Sequence, residues 1–458
     1  MTSVTSNFAA ALPAPLVLVL SASLALSACA EKVEAAPPPA PQAVSGAKAF
    51  PAALGYGASA AGGSGGKIIY VTNREDSGAG SLRNCLISKG KRTCVFRIGG
   101  VFRFTGRPPV IKNPYLTIAG QTAPGGGVVI THAGGRNART PILIKNTHDV
   151  VVRNVRIRLD RLSANRESDD AITIENSRKV VIDHVSASWA SDELINGYGD
   201  NDEITISNSI FAYGIPRHDK CALLGSDPKD AQRLSFIGNI CAHNGDRNPD
   251  INFPPGSCVE VMNNVLYNAE SQFAEVWESY RGTPVSIIGN TFVKGPNSHR
   301  NTQGIALETI GSTGDARIYI WDNAFTGNFD HISSAAQQAQ VAQAPCPPTI
   351  QPKSASQGYA STLANAGAWP RDAIDSRVAS DITSRSGSIV SGPGRIPEIA
   401  KGNAYADMDK DGMDDAWEVS HGSSPQVFDP WADTDGNGVS NFEDFLTYRD
   451  SVLRAGQG

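Results

Sequence analysis

The sequence predicts an all-β protein, a right-handed parallel β-helix (solenoid) with a small α-rich, EF-hand-like C-terminal segment. Three observations carry that expectation. Gly (45) and Pro (28) are frequent in the 458 residues. Long helical patterns are scarce over most of the length. Short strands of β-branched residues recur, each ending in an amide, carboxylate or imidazole.

The recurrence is the strongest of the three. LTIAGQ ends at Gln121, VVVRN at Asn154, VVIDH at His184 and ITISN at Asn208. SFIGN, VEVMNN, VSIIGN and IYIWDN follow, ending at Asn239, Asn264, Asn290 and Asn323. The intervals are 33, 30, 24, 31, 25, 26 and 33. A strand core that persists while loop length varies is the mark of one coil per repeat. Asn at one corner of successive coils stacks as a hydrogen-bonded ladder.

Coils one turn apart sit about 4.8 Å apart along the axis, so position within a coil outranks distance in sequence. Asp170 lies 14 residues before His184, Asp192 16 before Asn208, Lys220 19 before Asn239 and Arg247 17 before Asn264. These four charges therefore share one angular sector on consecutive coils, acids at one end and bases at the other. Stacked carboxylates call for a hard cation, and oxygen donors suit calcium. Asp170 and Asp192 are the first-choice ligands, with Asp169, Glu193 and Asn196 to complete the sphere. Arg247 and Lys220 then face an acidic glycan along the same stripe. With calcium neutralising a uronate, the C5 hydrogen becomes acidic, and Arg247 is the candidate base for β-elimination. Its high ordinary pKa would have to fall beside calcium and Lys220. Trp189, Trp277, Tyr280 and Arg281 are placed on loops of the same groove.

The motifs GYGASAAGGSGGKIIYVTN, DSGAGSLR, LTIAGQTAPGGGVVI, SDDAITI…VVIDHVSASWASDE, HDKCALLGSD and HNGDRNPDI resemble those of the pectate lyases of the parallel β-helix class, from about Gly55 to Asn323. The resemblance implies calcium ligands at Asp170 and Asp192, a substrate-binding Lys220 and a catalytic Arg247. Arg-x-Pro is kept as Arg247-Asn248-Pro249, and Asn248, Asn252 and Arg281 join the substrate-binding candidates. Ser168 and Asn196 stand where some members have further metal-binding acids, and Asn252 where some have a second Arg. The implied activity is calcium-assisted cleavage of polygalacturonate or a related acidic glycan. Two other readings fit the fold: an inverting glycoside hydrolase using the acid pairs Asp169/Asp170 and Asp192/Glu193, and a glycan-binding solenoid without chemistry.

The flanks divide the chain further. Leu16 to Leu26 is an apolar run too short to span a bilayer, and Leu26-Ser27-Ala28-Cys29 resembles a lipobox. Residues 1–28 are accordingly read as a lipoprotein-type signal. Cys29 is the lipidation site and the only membrane link, in an outer-membrane, periplasmic or secreted protein of a Gram-negative bacterium. Residues 29–54 read as a Pro/Ala-rich tether, 55–335 as the β-helix, and 336–402 as an irregular, partly helical flank. The mild net charge of −5 and the lack of a basic run give no sign of a nucleic-acid partner, none is expected, and a monomer is expected. Of the remaining cysteines, Cys85 pairs first with Cys94 across a turn and Cys221 next with Cys241; Cys258 and Cys346 are left open.

Residues 403–450 are strongly acidic. Asp407, Asp409, Asp411, Gly412 and Glu418 fit D-x-D-x-D-G-x5-E, and Asp433, Asp435, Asn437, Gly438 and Asp444 fit the same frame with a closing Asp. Both resemble EF-hand-type calcium loops, each followed by a short helix.

Overall fold

Each turn of the chain lays down three short strands, and each strand pairs in parallel with its counterpart one turn on. The computed structural model describes residues 34–164 and 169–456. The leader, Cys29 and Ser168 lie outside the described residues. The strands stack into a ten-stranded sheet (from Lys67–Val71 to Arg317–Trp321) and two nine-stranded sheets. One of these runs from Gly100–Phe104 to Ala324–Thr326, the other from Val110–Ile111 to Asp330–Ile332. Sheet order follows chain order throughout, so the fold is the parallel β-solenoid that the strand spacing predicts, about ten turns long.

Register explains the interior. Ile118, Val152, Ile182, Ile206, Phe236, Val261, Ile287 and Ile320 are successive partners across the ten-stranded sheet, all of them buried. Each such side chain contributes roughly 1.5–3 kcal/mol through burial. A slip of one residue would turn the whole column to the outside, so the apolar stack fixes the register.

The corner after each of these strands is made by a residue in the left-handed region: Asn154, His184, Asn208, Gly238, Asn263, Gly289 and Asp322. That conformation favours Gly, Asn and Asp. The strand-ending residues aligned from sequence therefore mix two adjacent positions. Ile210 pairs with Ile240, which sets Asn208 opposite Gly238 and Ser209 opposite Asn239. The ladder itself occupies the second position. Asn239 N donates to Asn264 Oδ1 (2.8 Å), Asn264 Nδ2 to Asn290 Oδ1 (2.9 Å) and Asn290 Nδ2 to Asn323 Oδ1 (3.0 Å).

The predicted disulfides Cys85–Cys94 and Cys221–Cys241 are present, and Cys258 pairs with Cys346. The last bond ties down the start of the irregular flank read at 336–402. Glu260 accepts from Thr349 N (3.0 Å), and Lys353 N donates to Asn263 Oδ1 (3.0 Å). The Pro/Ala-rich stretch is also docked from residue 34 on, with Ala36 N on Ala342 O (2.9 Å) and Phe50 buried beneath Arg153. Helices Ala355–Asn365 and Ala373–Ser384 flank Pro370 within the stretch read as partly helical. The second is bolted to the solenoid through Arg158, whose Nη2 reaches Asp372 (3.0 Å) and Asp375 (2.7 Å). Helices Asp415–His421 and Asn441–Ala455 pack Trp417, Phe442, Phe445 and Leu446, with Met413 of the preceding loop, onto Val95 and Ala119 of the first coils.

Two outcomes follow for stability. Asn290→Leu removes the Oδ1 that accepts from Asn264 N and Nδ2 and the Nδ2 that donates to Val261 O and Asn323 Oδ1, and should cost about 3 kcal/mol in urea unfolding. His243 is fully buried between Tyr213 and Tyr267, beside Asp381 and near Arg377. Burial, opposed by Asp381, holds it down to about 4. The unfolded chain thus binds a proton that the folded chain refuses between about pH 6.5 and 4. Stability from this group should fall as pH drops through that window, by at most about 1.4 kcal/mol per pH unit. His243→Gln should flatten that part of the melting-temperature profile.

Candidate active site

The sector of charges read from the sequence lies along the N-terminal ends of consecutive strands of one nine-stranded sheet. Asp170 precedes Ile172–Glu175, Asp192 and Glu193 open Glu193–Tyr198, and Lys220 opens Lys220–Ser226. Arg247 precedes Asp250–Ile251. Parallel pairing sets Glu193 beside Lys220 and Asp250 beside Glu275.

The acid end is buried and crowded. Asp170 Oδ2 accepts from Thr173 Oγ1 (2.6 Å) and Asn196 Nδ2 (3.1 Å), and Oδ1 from Glu193 N (3.1 Å). Burial and then Glu193 still push its carboxyl up to about 7. Asp192 is pushed up to about 9 by burial, Glu193 and Asp170, although His218 Nδ1 lies 3.0 Å from its Oδ1. Oxygens of Asp192 and Glu193 and a nitrogen of His218 lie within 4.8 Å of one another. Asn196 Oδ1 is buried and has no hydrogen-bond partner. A crowded set of oxygen donors with one orphaned carbonyl fits a hard cation such as calcium.

Asp169 does not join this set. Its carboxylate turns to the buried His132, with Nε2 3.1 and 3.2 Å from the two oxygens. Period-two alternation explains the difference: adjacent residues at a strand entrance point opposite ways.

The basic end is wrapped in acids that the sequence reading missed. Lys220 Nζ pairs with Asp246 Oδ1, and Arg247 Nη1 with Glu193 Oε1. Arg247 Nε lies 3.6 Å from Asp250 Oδ2, and its backbone N donates to Glu275 Oε1 (2.9 Å), holding a left-handed φ of 52°. The expected fall in the Arg247 pKa is therefore reversed here. Burial lowers it, but Asp250, Glu193, Glu275 and Asp246 together hold it above its ordinary value. The acids respond in kind. Burial and Glu275 keep Asp250 well above the carboxylate range, and burial and Asp246 push Glu275 up to about 7. Asp246 and Asp250 lie one and three residues from Arg247 in sequence, and only Glu275 needs the register to be seen.

Three further candidates sit differently from expectation. Asn248 is buried, with Nδ2 on Gln272 O (3.2 Å), so it braces the loop instead of facing a ligand. Asn252 Nδ2 donates to Ser279 Oγ (2.8 Å), while its Oδ1 is buried and unpartnered. Arg281 is exposed, its Nη2 3.5 Å from Lys229 O. Trp189 is buried under Gly394 and offers no open stacking face, and Tyr280 Oη donates to Asp227 Oδ1 (2.6 Å).

The acidic C-terminal loops differ from each other. In the first, oxygens of Asp407, Asp409 and Asp411 lie within 4.8 Å, as do those of Asp411, Glu418 and Asp429. Burial and then neighbouring carboxylates push Asp411 up to about 7 and Glu418 up to about 8. In the second, Asp433, Asp435 and Asn437 are exposed, and Asn437 Nδ2 donates to Asp435 and Asp444 (both 3.0 Å).

A family model described as pectate lyase matches residues 40–301. The chain belongs to the pectate lyase family. A relative named "Probable pectate lyase C" from Aspergillus flavus is 30% identical over 86% of this chain and 92% of its own length. Another of that name from Aspergillus fumigatus is 36% identical over 56% of this chain and 57% of its own length. The fold is shared with Jun a 1, the major cedar pollen allergen, at a TM-score of 0.52 and 20% identity over 69% of this chain and 92% of that one. The chain is thus an enzyme, a polysaccharide lyase of the kind that acts on pectate. The expected Gram-negative lipoprotein is corrected by these relatives. Fungal proteins match over most of the chain, and three disulfides call for an oxidising compartment. The expectation of a Gram-negative lipoprotein is therefore overturned, and the disulfides fit an extracellular setting.

Asp169→Asn tests the division of the two adjacent acids. It should lower stability by about 1–3 kcal/mol, through the buried His132. Calcium affinity measured by calorimetry should be unchanged.

Proposed function

We propose that the groove cleaves a linear polygalacturonate by β-elimination, with Arg247 as base and calcium held by Asp170, Asp192, Glu193 and Asn196 Oδ1. The observation that supports this most is Glu193, which lies at the junction of the two ends: it crowds Asp170 and Asp192 and also accepts from Arg247. Bound there, calcium would neutralise the uronate carboxylate and so acidify its C5 hydrogen. Lys220 holds the same sugar acid as a point charge. Arg247, anchored through its backbone by Glu275, places its guanidine nitrogen to take the C5 proton. The C–H electron pair becomes the C4–C5 double bond, and the C4–O4 bond breaks with its electrons on the departing sugar oxygen. Arg247 acts as a base only when Glu193 and Asp250 have turned to other partners, because those acids otherwise hold its proton. His218 keeps Asp192 oriented from outside the donor set.

The test is ultraviolet absorbance of unsaturated uronate ends released from polygalacturonate. Absorbance should rise with calcium, stop with chelator, and fall by about 10²–10⁴-fold in Arg247→Ala, with the fold intact by circular dichroism. New reducing ends without absorbance would mean hydrolysis by the acid pairs. His218→Ala should raise the calcium requirement about tenfold, in titrations of activity against free calcium.

A further inference from the structure

We propose that Asp407, Asp409, Asp411, Glu418 and Asp429 form a calcium site separate from the groove, and that its ion fastens the C-terminal helices to the first coils of the solenoid. The acids alone would not carry this. The deciding observation is Glu418: it is fully buried, and neither of its carboxylate oxygens has a hydrogen-bond partner. Asp411 is equally buried with Oδ2 unpartnered, and Asp407 Oδ1 and Asp409 Oδ2 are orphaned in the same way. Buried carboxylate oxygens facing one another without a donor are costly unless a cation lies between them. Oxygen donors from alternate residues of one loop match calcium.

Asp429 is the ligand that loop spacing does not predict. It lies beyond the twelfth position of the first loop and before the second, yet its carboxylate comes within 4.8 Å of those of Asp411 and Glu418. Asp429 O and Oδ1 also accept from Asn441 Nδ2 (3.1 and 3.2 Å), at the start of helix Asn441–Ala455. Glu418 belongs to helix Asp415–His421. One ion thus joins the two helices. The loop itself is seated on the solenoid. Tyr70 Oη donates to Asp407 Oδ2, which also pairs with Arg97 Nη1 at 3.4 Å. Gly412, at a φ of 94°, turns so closely over Phe442 that a Cβ there would stand 2.9 Å from its ring. The site therefore sits where the loop, both helices and the first coils meet. The second loop has exposed carboxylates satisfied by Asn437, and carries no such inference.

The proposal is independent of the lyase reading, and its test reads binding and exchange, not activity. In the full chain, Asp192→Asn removes a groove ligand. Calorimetric titration of this variant with calcium chloride after chelation should still show a bound ion, and the added change Glu418→Gln should abolish it. Hydrogen exchange of the wild-type chain gives a second reading that needs no variant. At calcium about a hundred times its dissociation constant, amides of 415–421 and 441–455 should exchange up to roughly a hundredfold more slowly than in chelator. Calcium binding that survives Glu418→Gln in the Asp192→Asn background, or exchange in both helices indifferent to calcium, would overturn the proposal.

Discussion

Parallel stacking of coils at the strand spacing of about 4.8 Å is the constraint on which the molecule turns. It makes neighbours of residues far apart in sequence, such as Glu193 and Lys220 or Asp250 and Glu275. The same spacing that builds an apolar column inside builds a column of charge at the strand entrances. Inside, equal residues reinforce each other. At the entrances, equal charges repel, so the acid end stores an electrostatic demand that protons or a cation must meet.

The demand is met differently at the two ends. At the acid end, Asp170 and Asp192 are pushed toward neutrality and Asn196 Oδ1 is left without a donor. At the basic end, Lys220 is matched with Asp246 of the next coil, and Arg247 with Glu193 from two coils back. Glu193 belongs to both ends. Whatever engages Glu193 changes the company of Arg247, so occupancy of the acid end and basicity of the guanidine are linked through one carboxylate. That linkage is why an arginine, with its high ordinary pKa, can be considered as a base here at all.

Much of this was legible in the sequence, because a solenoid repeats its local rules. The strand cores, the charge stripe, two disulfides and both pairs of C-terminal helices were readable from pattern and spacing. The misreadings have physical causes. The ladder alignment slipped by one residue because Asn serves two adjacent corner positions, as a left-handed residue at Asn208 and as a rung at Asn239. Asp169 was grouped with Asp170 because the sequence shows adjacency and not the facing of side chains. His218, Asp246 and Glu275 act on their targets from the next coil, where register brings them, whereas Asp250 reaches Arg247 from three residues further along the same coil. The flank after Asn323 reads as irregular because hydrogen bonds to Glu260 and Asn263 and a disulfide hold it, with no apolar periodicity to show for it.

The most direct measurement is an anomalous difference map from crystals of the chain grown with calcium and a short galacturonate oligomer. The account predicts a calcium peak among Asp170, Asp192 and Glu193, with the Arg247 guanidine released from Glu193 and turned to the C5 hydrogen of a bound uronate. A bound oligomer with no ion at those carboxylates, or with Arg247 still paired to Glu193, would contradict it.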